Sequence, residues 1–342
     1  MATIFKTLTA DDVTSTRTLL HEAIPLTGSI ISGTYEGGTG EENVLNFSHG
    51  MFQSVYDYPY LSSSANHIVD ITAGYSNSSI LSSSANPENA KKINLYNQFA
   101  QILVGHDTSG NILEFDADGD IIAGGTKFQE VFFLCFTRLL TKDEIKKGGM
   151  LLDFYLEGTV ALNDGSNPTN DTGSLTSFKV NSPAGEYGIL SMPKSGNVGL
   201  VYYQAGIVVL TSSMFPPTTA FGSKASSSAN TTAILTGSTI QVFADGVRNR
   251  WNDCNFNNTI ELNSTIYFCR ANHNEFNYSS NPTYLNGSKI RVKNTTTDSP
   301  VAYITSVGLM SPDNELLAVA KLSEPLKKTP ENELTIRVRI DY

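Results

Sequence analysis

The chain has 342 residues, of which 40% are hydrophobic and only 16% are charged, and its net charge is −10. This apolar share is enough for the packed core of one or two domains, so a disordered chain is excluded. The acidic balance argues against nucleic-acid binding, because that function needs a basic face to neutralise phosphates.

Because few residues are charged, small neutral polar residues make up much of the polar part of the chain. Such a surface is typical either of a chain that meets other protein over much of its area or of a loop-rich β protein. The N-terminus shows no basic region followed by an apolar run, and no apolar stretch reaches about 18 residues. We therefore expect no signal peptide, no spanning helix and no membrane partner. Three widely spaced cysteines, Cys135, Cys254 and Cys269, favour reduced thiols in a cytosol over disulfides or zinc.

Residues 1–45 are predicted to form an N-terminal arm. A cap at Thr9 or Asp11 predicts a short helix that runs through Leu20, and residues 26–35 are predicted to be extended. Because such an arm orders only when it docks, it suits exchange between neighbouring subunits.

An aromatic stripe follows the arm, since alternate residues of 52–60 would lie on one side of an extended backbone. Three interpretations stay open for it: packing onto the protein's own core, a protein interface, or stacking on a sugar. The candidate interface residues are Phe52, Tyr56, Tyr58 and Tyr60 of the stripe, with Leu19, Leu20 and Ile24 of the arm.

A β-rich domain is predicted over residues 46–215, with one helix near 87–103. Asn86 at the cap and Pro87 at the first helical position mark where that helix begins. Residues 126–140 are rich in β-forming and aromatic residues, which predicts a buried strand.

Two further elements of this domain follow from local patterns. Thr141 and Glu144 have the spacing of a capping box, which predicts a short helix after them. Residues 198–210 are almost wholly apolar and are predicted to be one interior strand.

The last domain, 216–342, is predicted to be antiparallel β. Residues 240–243 are predicted to be a strand and 245–251 a single helical turn, while Asn286-Gly287 is typical of a hairpin. Complete alternation of apolar and polar residues over 334–342 predicts a half-buried strand. Further strands are predicted near 288–293, 301–310 and 315–322. The predicted fold class is mainly β (α+β), with antiparallel β-sandwich-like domains, a few short helices and the extended N-terminal arm.

Asp116, Asp118 and Asp120 place carboxylates at alternate positions, as a calcium-binding loop does. An EF-hand also needs glycine at its sixth position and glutamate at its twelfth. Ile121 and Lys127 occupy those positions, so the EF-hand match fails. A turn at residues 118–119 is therefore the favoured interpretation.

One group of potentially reactive residues occurs close together, namely Cys269, His273 and Glu275. No orienting group or oxyanion donor accompanies it, and the serine-hydrolase, phosphate-loop and dinucleotide-binding motifs are missing. Glycosidase chemistry with paired acids is not excluded but has no positive support. We expect no enzyme activity, no catalytic residues, no cofactor and no metal.

Four stretches resemble virion structural proteins of contractile-tailed phages, of the myovirus type, that infect marine bacteria and cyanobacteria. Together they extend over most of the chain, and none of them carries a catalytic motif. The stretches are 16–28, 49–60, 198–210, and 303–309 with 316–322.

The resemblance implies a non-enzymatic virion component that is made in the bacterial cytoplasm and assembles in several copies. Its expected partners are other copies of itself and other phage structural proteins. A tail, baseplate or neck position is preferred, and a head-surface (capsid decoration) position stays open. The alternative is a receptor- or carbohydrate-binding tail module, with Tyr56, Tyr58 and Tyr60 or Tyr278 and Tyr284 as stacking residues.

Overall fold

A computed structural model describes most of the chain. The described residues are 5–33, 42–83, 86–121, 124–155, 168–171, 178–193, 195–215, 239–279, 285–286, 289–290, 297 and 299–342. Contacts divide the chain into two units: unit 1 comprises residues 1–19 and 261–342, and unit 2 comprises residues 20–260.

Helices are few and mostly short. Within the described ranges they are α1 (Gly28–Ile31), α2 (Pro87–Leu103), α3 (Arg138–Thr141) and α4 (Ile240–Arg250). In that part of the chain, none of them has both the length and the apolar character needed to cross a membrane. Three 3₁₀ turns lie at Ala10–Asp12, Ile80–Ser83 and Ser212–Met214.

Strands make up 48% of the described structure. Those in the first half are β1 (Val13–Thr27), β2 (Val44–Asn46), β3 (Gln53–Tyr56), β4 (His67–Tyr75), β5 (Phe115–Asp116), β6 (Lys127–Phe128), β7 (Glu130–Phe136), β8 (Glu144–Ile145), β9 (Leu151–Phe154) and β10 (Pro168–Asp171). Those in the second half are β11 (Lys179–Ser182), β12 (Gly185–Met192), β13 (Gly196–Tyr202), β14 (Ile207–Thr211), β15 (Trp251–Ala271), β16 (Leu285–Asn286), β17 (Lys289–Ile290), β18 (Ala302–Met310), β19 (Leu316–Lys328) and β20 (Leu334–Asp341).

Unit 2 is built on an antiparallel sheet with the strand order β9-β10-β12-β13-β14-β7-β4-β3-β2. Its central strand β7 pairs with β4 from Val69↔Phe136 to Tyr75↔Glu130, and with β14 on the other side. The N-terminal half of β15 pairs with β9 at the far end of the sheet. The predicted mainly-β, antiparallel fold class is thus confirmed.

Strand β7 is buried on both faces, which explains its nearly continuous apolar sequence. Phe132 lies on one face, where its ring is 4.5 Å from that of Phe243 in α4. Phe133 lies on the opposite face and stacks on Phe99 of α2, with centroids 4.1 Å apart. Successive strand residues point to opposite faces, so α2 and α4 cover opposite sides of this sheet.

Helix α2 approaches strand β4 very closely. A Cβ added to Gly74 would lie 2.8 Å from the Lys92 carbonyl oxygen and 2.9 Å from the Tyr96 amide nitrogen. Only glycine leaves room for such backbone contact, so Gly74 fixes where the helix rests. The helix begins as predicted, since the Asn86 side chain accepts a hydrogen bond from the Asn89 amide (2.8 Å).

The described part of unit 1 consists mainly of strands. The C-terminal half of β15 pairs with β20 from Ser264↔Asp341 to Ala271↔Leu334, and β1 adjoins β15. Strands β18 and β19 form a hairpin, and β16 pairs with β17. The strands predicted near 301–310, 315–322 and 334–342 are confirmed, although β19 extends to Lys328.

The prediction for the N-terminal segment is wrong. Residues 13–27 form β1 instead of a helix, and the helix α1 lies within 26–35, which was predicted to be extended. The β-branched residues that crowd the start of β1 favour a strand, and pairing with β15 is available to it.

Three other local predictions are also wrong. Residues 198–210 form the hairpin β13–β14, in which Gly206 at φ +66° provides the turn. Residues 240–243 are the start of α4, a helix that continues to Arg250 and thus replaces the predicted single turn. The helix predicted after Thr141 does not form: Thr141 is the last residue of α3, which Thr137 caps, and Glu144–Ile145 form strand β8, in which Ile145 is buried.

The predicted domain borders at 45/46 and 215/216 differ from the two units. Leu26 and Ile31 belong to the main hydrophobic cluster of unit 2, so they are part of a core rather than of an arm. Unit 1 joins the first residues to the last because both pair with β15. Residues 216–238 lie outside the described ranges.

Candidate assembly surface

The two units differ sharply in where their apolar side chains lie. Among the described residues, 47 buried hydrophobic residues belong to unit 2, whereas unit 1 has two, Ala271 and Ala302. The other buried residues of unit 1 are polar: Asp12, Ser264, Thr265 and Lys328. Two alanines do not supply the apolar burial that normally stabilises a unit of this size.

Large apolar side chains of unit 1 are instead exposed. Twelve described residues of unit 1 belong to this class, against eight in the much longer unit 2. Those of unit 1 are Phe5, Leu19, Leu262, Phe276, Tyr278, Tyr303, Met310, Leu316, Leu317, Val319, Leu326 and Tyr342. These exposed apolar side chains make unit 1 a candidate interaction surface.

The β18–β19 hairpin is apolar on both faces. Val307 pairs with Ala320 and Leu309 with Ala318, so these four residues lie on one face. Met310, Leu316, Leu317 and Val319, which we call the hairpin patch, lie at the tip and are 36%, 57%, 68% and 58% exposed. A two-stranded hairpin is marginally stable in water, and strands that are apolar on both faces are normally covered on both.

The hairpin patch is held in a defined shape. The Leu316 side chain lies over Gly308, where an added Cβ would be 3.2 Å from Leu316 Cδ1. In the connecting turn, the Ser311 amide donates to the Glu315 carbonyl (2.8 Å), and Asn314 adopts a left-handed conformation at φ +63°. The patch is therefore an ordered surface, as a specific interface requires.

The three strands β1, β15 and β20 form the other part of unit 1. Ile340, Val338 and Ile336 lie opposite Thr265, Tyr267 and Cys269 on one face, and burial alternates along β20 as predicted. Residues 14–23 of β1 are all exposed, so both faces of that strand are uncovered. A long exposed strand at the edge of a sheet readily joins another chain.

Charge is distributed unevenly between the units. Unit 1 has 11 basic and 11 acidic residues, whereas unit 2 has 12 basic and 22 acidic residues. All of the net charge of −10 therefore lies in unit 2. A neutral surface with both signs interspersed lets copies approach each other, while a net charge on the rest of the chain opposes indiscriminate association.

Ion pairs attach the first residues of unit 1 to β15 and to the segment after it. Lys6 Nζ lies 2.7 Å from Glu275 Oε2, Arg270 Nε lies 3.1 Å from Asp12 Oδ1, and Arg17 pairs with Glu261. The bond from Lys6 lowers the pKa of Glu275. Hydrogen bonds from the Thr9 amide and hydroxyl, with Arg270 nearby, lower the pKa of Asp12.

This attachment is expected to weaken in acid. Asp12 and Glu275 have ordinary pKa values of 3.8 and 4.5, and both are lower in the folded protein. The unfolded chain therefore takes up protons first, so the stabilisation is complete above about pH 5 and is lost as the pH falls through the folded values. Amide hydrogen-exchange protection factors of residues 5–19 should fall between pH 6 and pH 3.5.

Glu275→Gln removes one part of this pH dependence and should make the change in protection smaller. Glu315→Gln, in the exposed hairpin turn, is the matched control and should keep the full change. Equal protection at both pH values in the parent protein would contradict the assignment.

The residues predicted for the interface in the arm are only partly exposed. Leu19 and Leu20 are 41% and 47% exposed on β1. Ile24 is half-buried and packs against the main cluster of unit 2. Leu19 is therefore the one that belongs to the surface of unit 1, and the interface role of all three stays a prediction.

The aromatic stripe is divided, because strand β3 ends at Tyr56. The ring of Phe52 packs near Phe47, with centroids 4.9 Å apart, whereas Tyr56 lies 6.3 Å from Tyr60. Tyr58 is 50% exposed, and the other three stripe residues are half-buried. The four side chains thus do not form one continuous face.

The suspected reactive group is not brought together. Glu275 is bonded to Lys6, and His273 Nδ1 lies 3.4 Å from Glu333 Oε1 at an exposed position. Burial, with Asp12 nearby, raises the pKa of the Cys269 thiol, which disfavours the nucleophilic thiolate. Tyr278 is exposed, and Tyr284 lies outside the described residues.

The hairpin patch was missed as a site from the sequence. Its residues were predicted only to lie in strands, within 301–310 and 315–322. A usable signal was present, since Leu316 and Leu317 are adjacent apolar residues directly after a polar turn.

Comparisons with known proteins give no relative for this chain. No protein-family model matches the sequence, and neither a curated protein nor a solved structure matches it at a significant level.

Proposed function

We propose that this protein is a non-enzymatic structural component of a bacteriophage virion that assembles in several copies through unit 1. The observation that carries the proposal is that the described part of unit 1 buries only two hydrophobic residues, both alanines, while it exposes twelve large apolar side chains. Such a surface needs cover that the described residues do not supply. The sequence resemblance supports a tail, baseplate or neck position.

The partner in this proposal is another copy of the same chain. The equal numbers of acidic and basic residues in unit 1 support self-association, whereas a strongly acidic or basic partner would need a complementary excess. Burial of one leucine or valine contributes about 1.5–3 kcal/mol, so the hairpin patch alone supplies a substantial part of an interface.

Mass spectrometry of purified phage particles, combined with imaging, tests the proposed function. The expected result is the chain in several copies at a fixed position in the particle. Its absence from intact particles would contradict the proposal. A glycan array adds a second test, since a structural component should bind no glycan while a receptor-binding module should bind one.

A further inference from the structure

A loop of unit 2 brings three carboxylates together. It starts at β5, which pairs with β6 through Asp116↔Lys127. One oxygen atom from each of Asp116, Asp118 and Asp120 lies within 4.8 Å of the others. A calcium ion holds oxygen ligands at 2.3–2.6 Å, so two of its ligands are at most about 5 Å apart. The spacing therefore fits a single ion.

The carboxylate of Asp116 is buried, since the residue is only 1% exposed. Its Oδ2 accepts a hydrogen bond from Lys127 Nζ, but its Oδ1 has no hydrogen-bond donor among the described residues. A buried carboxylate oxygen is normally satisfied by a donor, a water molecule or an ion. Here the oxygen faces the space over Gly125, where an added Cβ would be 3.6 Å from it and 3.9 Å from Asp118 Oδ2.

The charges around this loop leave room for a cation. Three carboxylates face one ion-paired ammonium group, that of Lys127. Lys179 passes Gly119 with its Cε, yet none of the ion pairs seen in the described ranges involves it. Carboxylates thus outnumber the ammonium groups described close to this loop.

Side chains from other strands hold the loop in place. The Tyr187 hydroxyl donates to the Gly119 carbonyl at 2.8 Å, and Asn181 Nδ2 donates to the same oxygen at 3.0 Å. Asn197 Nδ2 donates to the Ala117 carbonyl at 2.8 Å. The predicted turn is present, with Gly119 at φ +69°. These bonds hold the backbone at Ala117 and Gly119, on either side of Asp118, in a defined position.

We propose that Asp116, Asp118 and Asp120 bind a hard divalent cation, with Ca²⁺ as the best fit. Carboxylate oxygens are the ligands that such ions prefer, and the flexible coordination of Ca²⁺ tolerates the incomplete EF-hand spacing, with water as further ligands. The bound ion neutralises the cluster and stabilises this part of unit 2. The site is independent of assembly through unit 1.

Calcium and terbium titrations of the whole chain test this site. Calorimetry with Ca²⁺ should show saturable binding, and Tb³⁺ should give sensitised luminescence, because Tyr187 contacts the loop. Replacing Asp118→Asn together with Asp120→Asn keeps the side-chain volumes and should weaken binding at least about tenfold, the size of effect that even outer-shell changes have at metal sites. A parallel titration with Mg²⁺ should show weaker binding.

The matched control is Asp313→Asn with Glu331→Gln, which removes two charges from exposed turns of unit 1. It should bind Ca²⁺ as the parent does. Ca²⁺ should also raise the midpoint of thermal unfolding of the parent and of the control but not of the Asp118/Asp120 variant. No binding by the parent, or binding that the Asp118/Asp120 variant retains in full, would overturn the proposal.

Discussion

Replacing Leu316→Asp and Leu317→Asp together should separate the assembled protein into single chains. Both side chains are more than half exposed in the isolated chain, so the substitutions cost little folding stability. In an assembly they lie in the interface, where two charges replace apolar groups worth about 1.5–3 kcal/mol each. The association constant should fall about 100-fold or more, because each 1.4 kcal/mol is a factor of about ten.

Sedimentation velocity measures this effect directly. The matched control is Leu61→Asp with Ile80→Asp, which changes two side chains of unit 2 that are 86% and 83% exposed. The control should sediment as the parent does, and all three proteins should unfold at similar temperatures. If the Leu316/Leu317 variant sedimented with the mass of the parent assembly, the hairpin patch would not be part of the interface.

Two N-terminal deletions should have opposite effects on folding. Removal of residues 1–45 takes away Leu26 and Ile31, which are 6% and 0% exposed in the main cluster. It also removes Asn43, whose side-chain amide donates to the Ile30 and Tyr56 carbonyls at 2.8 and 2.9 Å. Loss of one large buried aliphatic residue costs about 2–5 kcal/mol, so unit 2 should lose most of its stability.

Removal of residues 1–19 should instead leave unit 2 folded and prevent assembly. This shorter deletion removes the 3₁₀ turn at Ala10–Asp12 and the part of β1 that belongs to unit 1, and it leaves the core residues of unit 2 in place. Thermal unfolding and sedimentation of both proteins distinguish the cases. If the two truncated proteins unfolded alike, the place of Leu26 and Ile31 in the core would be wrong. If the shorter deletion assembled normally, the first half of β1 would lie outside the interface.

Elements with a strong local signal were predictable from the sequence. The helix α2 has its cap and its first-turn proline together. The buried strand predicted over 126–140 is present as β7, which is shorter and is followed by helix α3. The alternation of β20 likewise gave both the strand and its half-buried pattern.

Elements that depend on distant partners were not predictable. The segment of β1 follows a helix-cap signal at Thr9 but is rich in β-branched residues, and pairing with β15 decides between the two conformations. Residues 198–210 form two strands because both can pair within the sheet, a fact of topology rather than of local pattern. Tertiary pairing commonly overrides such local preferences.

The candidate surface was hidden for a different reason. Apolar residues in a strand show that a face avoids water, but they do not show whether the same chain or a second chain covers that face. Only the exposure of the hairpin patch in the folded chain separates the two cases. For the cation site, the alternate spacing of the carboxylates was visible in the sequence. That Asp116 Oδ1 has no hydrogen-bond donor could be seen only in the folded structure.

The most direct measurement of self-assembly uses a photo-crosslinking amino acid in place of Val319, which is 58% exposed in the hairpin patch. Irradiation of the assembled protein, followed by mass spectrometry, identifies what covers the hairpin. The expected product joins two copies of the chain through residue 319 and a peptide of unit 1. If, at high concentrations of the protein, every crosslink joined two residues of the same chain, the account would be contradicted.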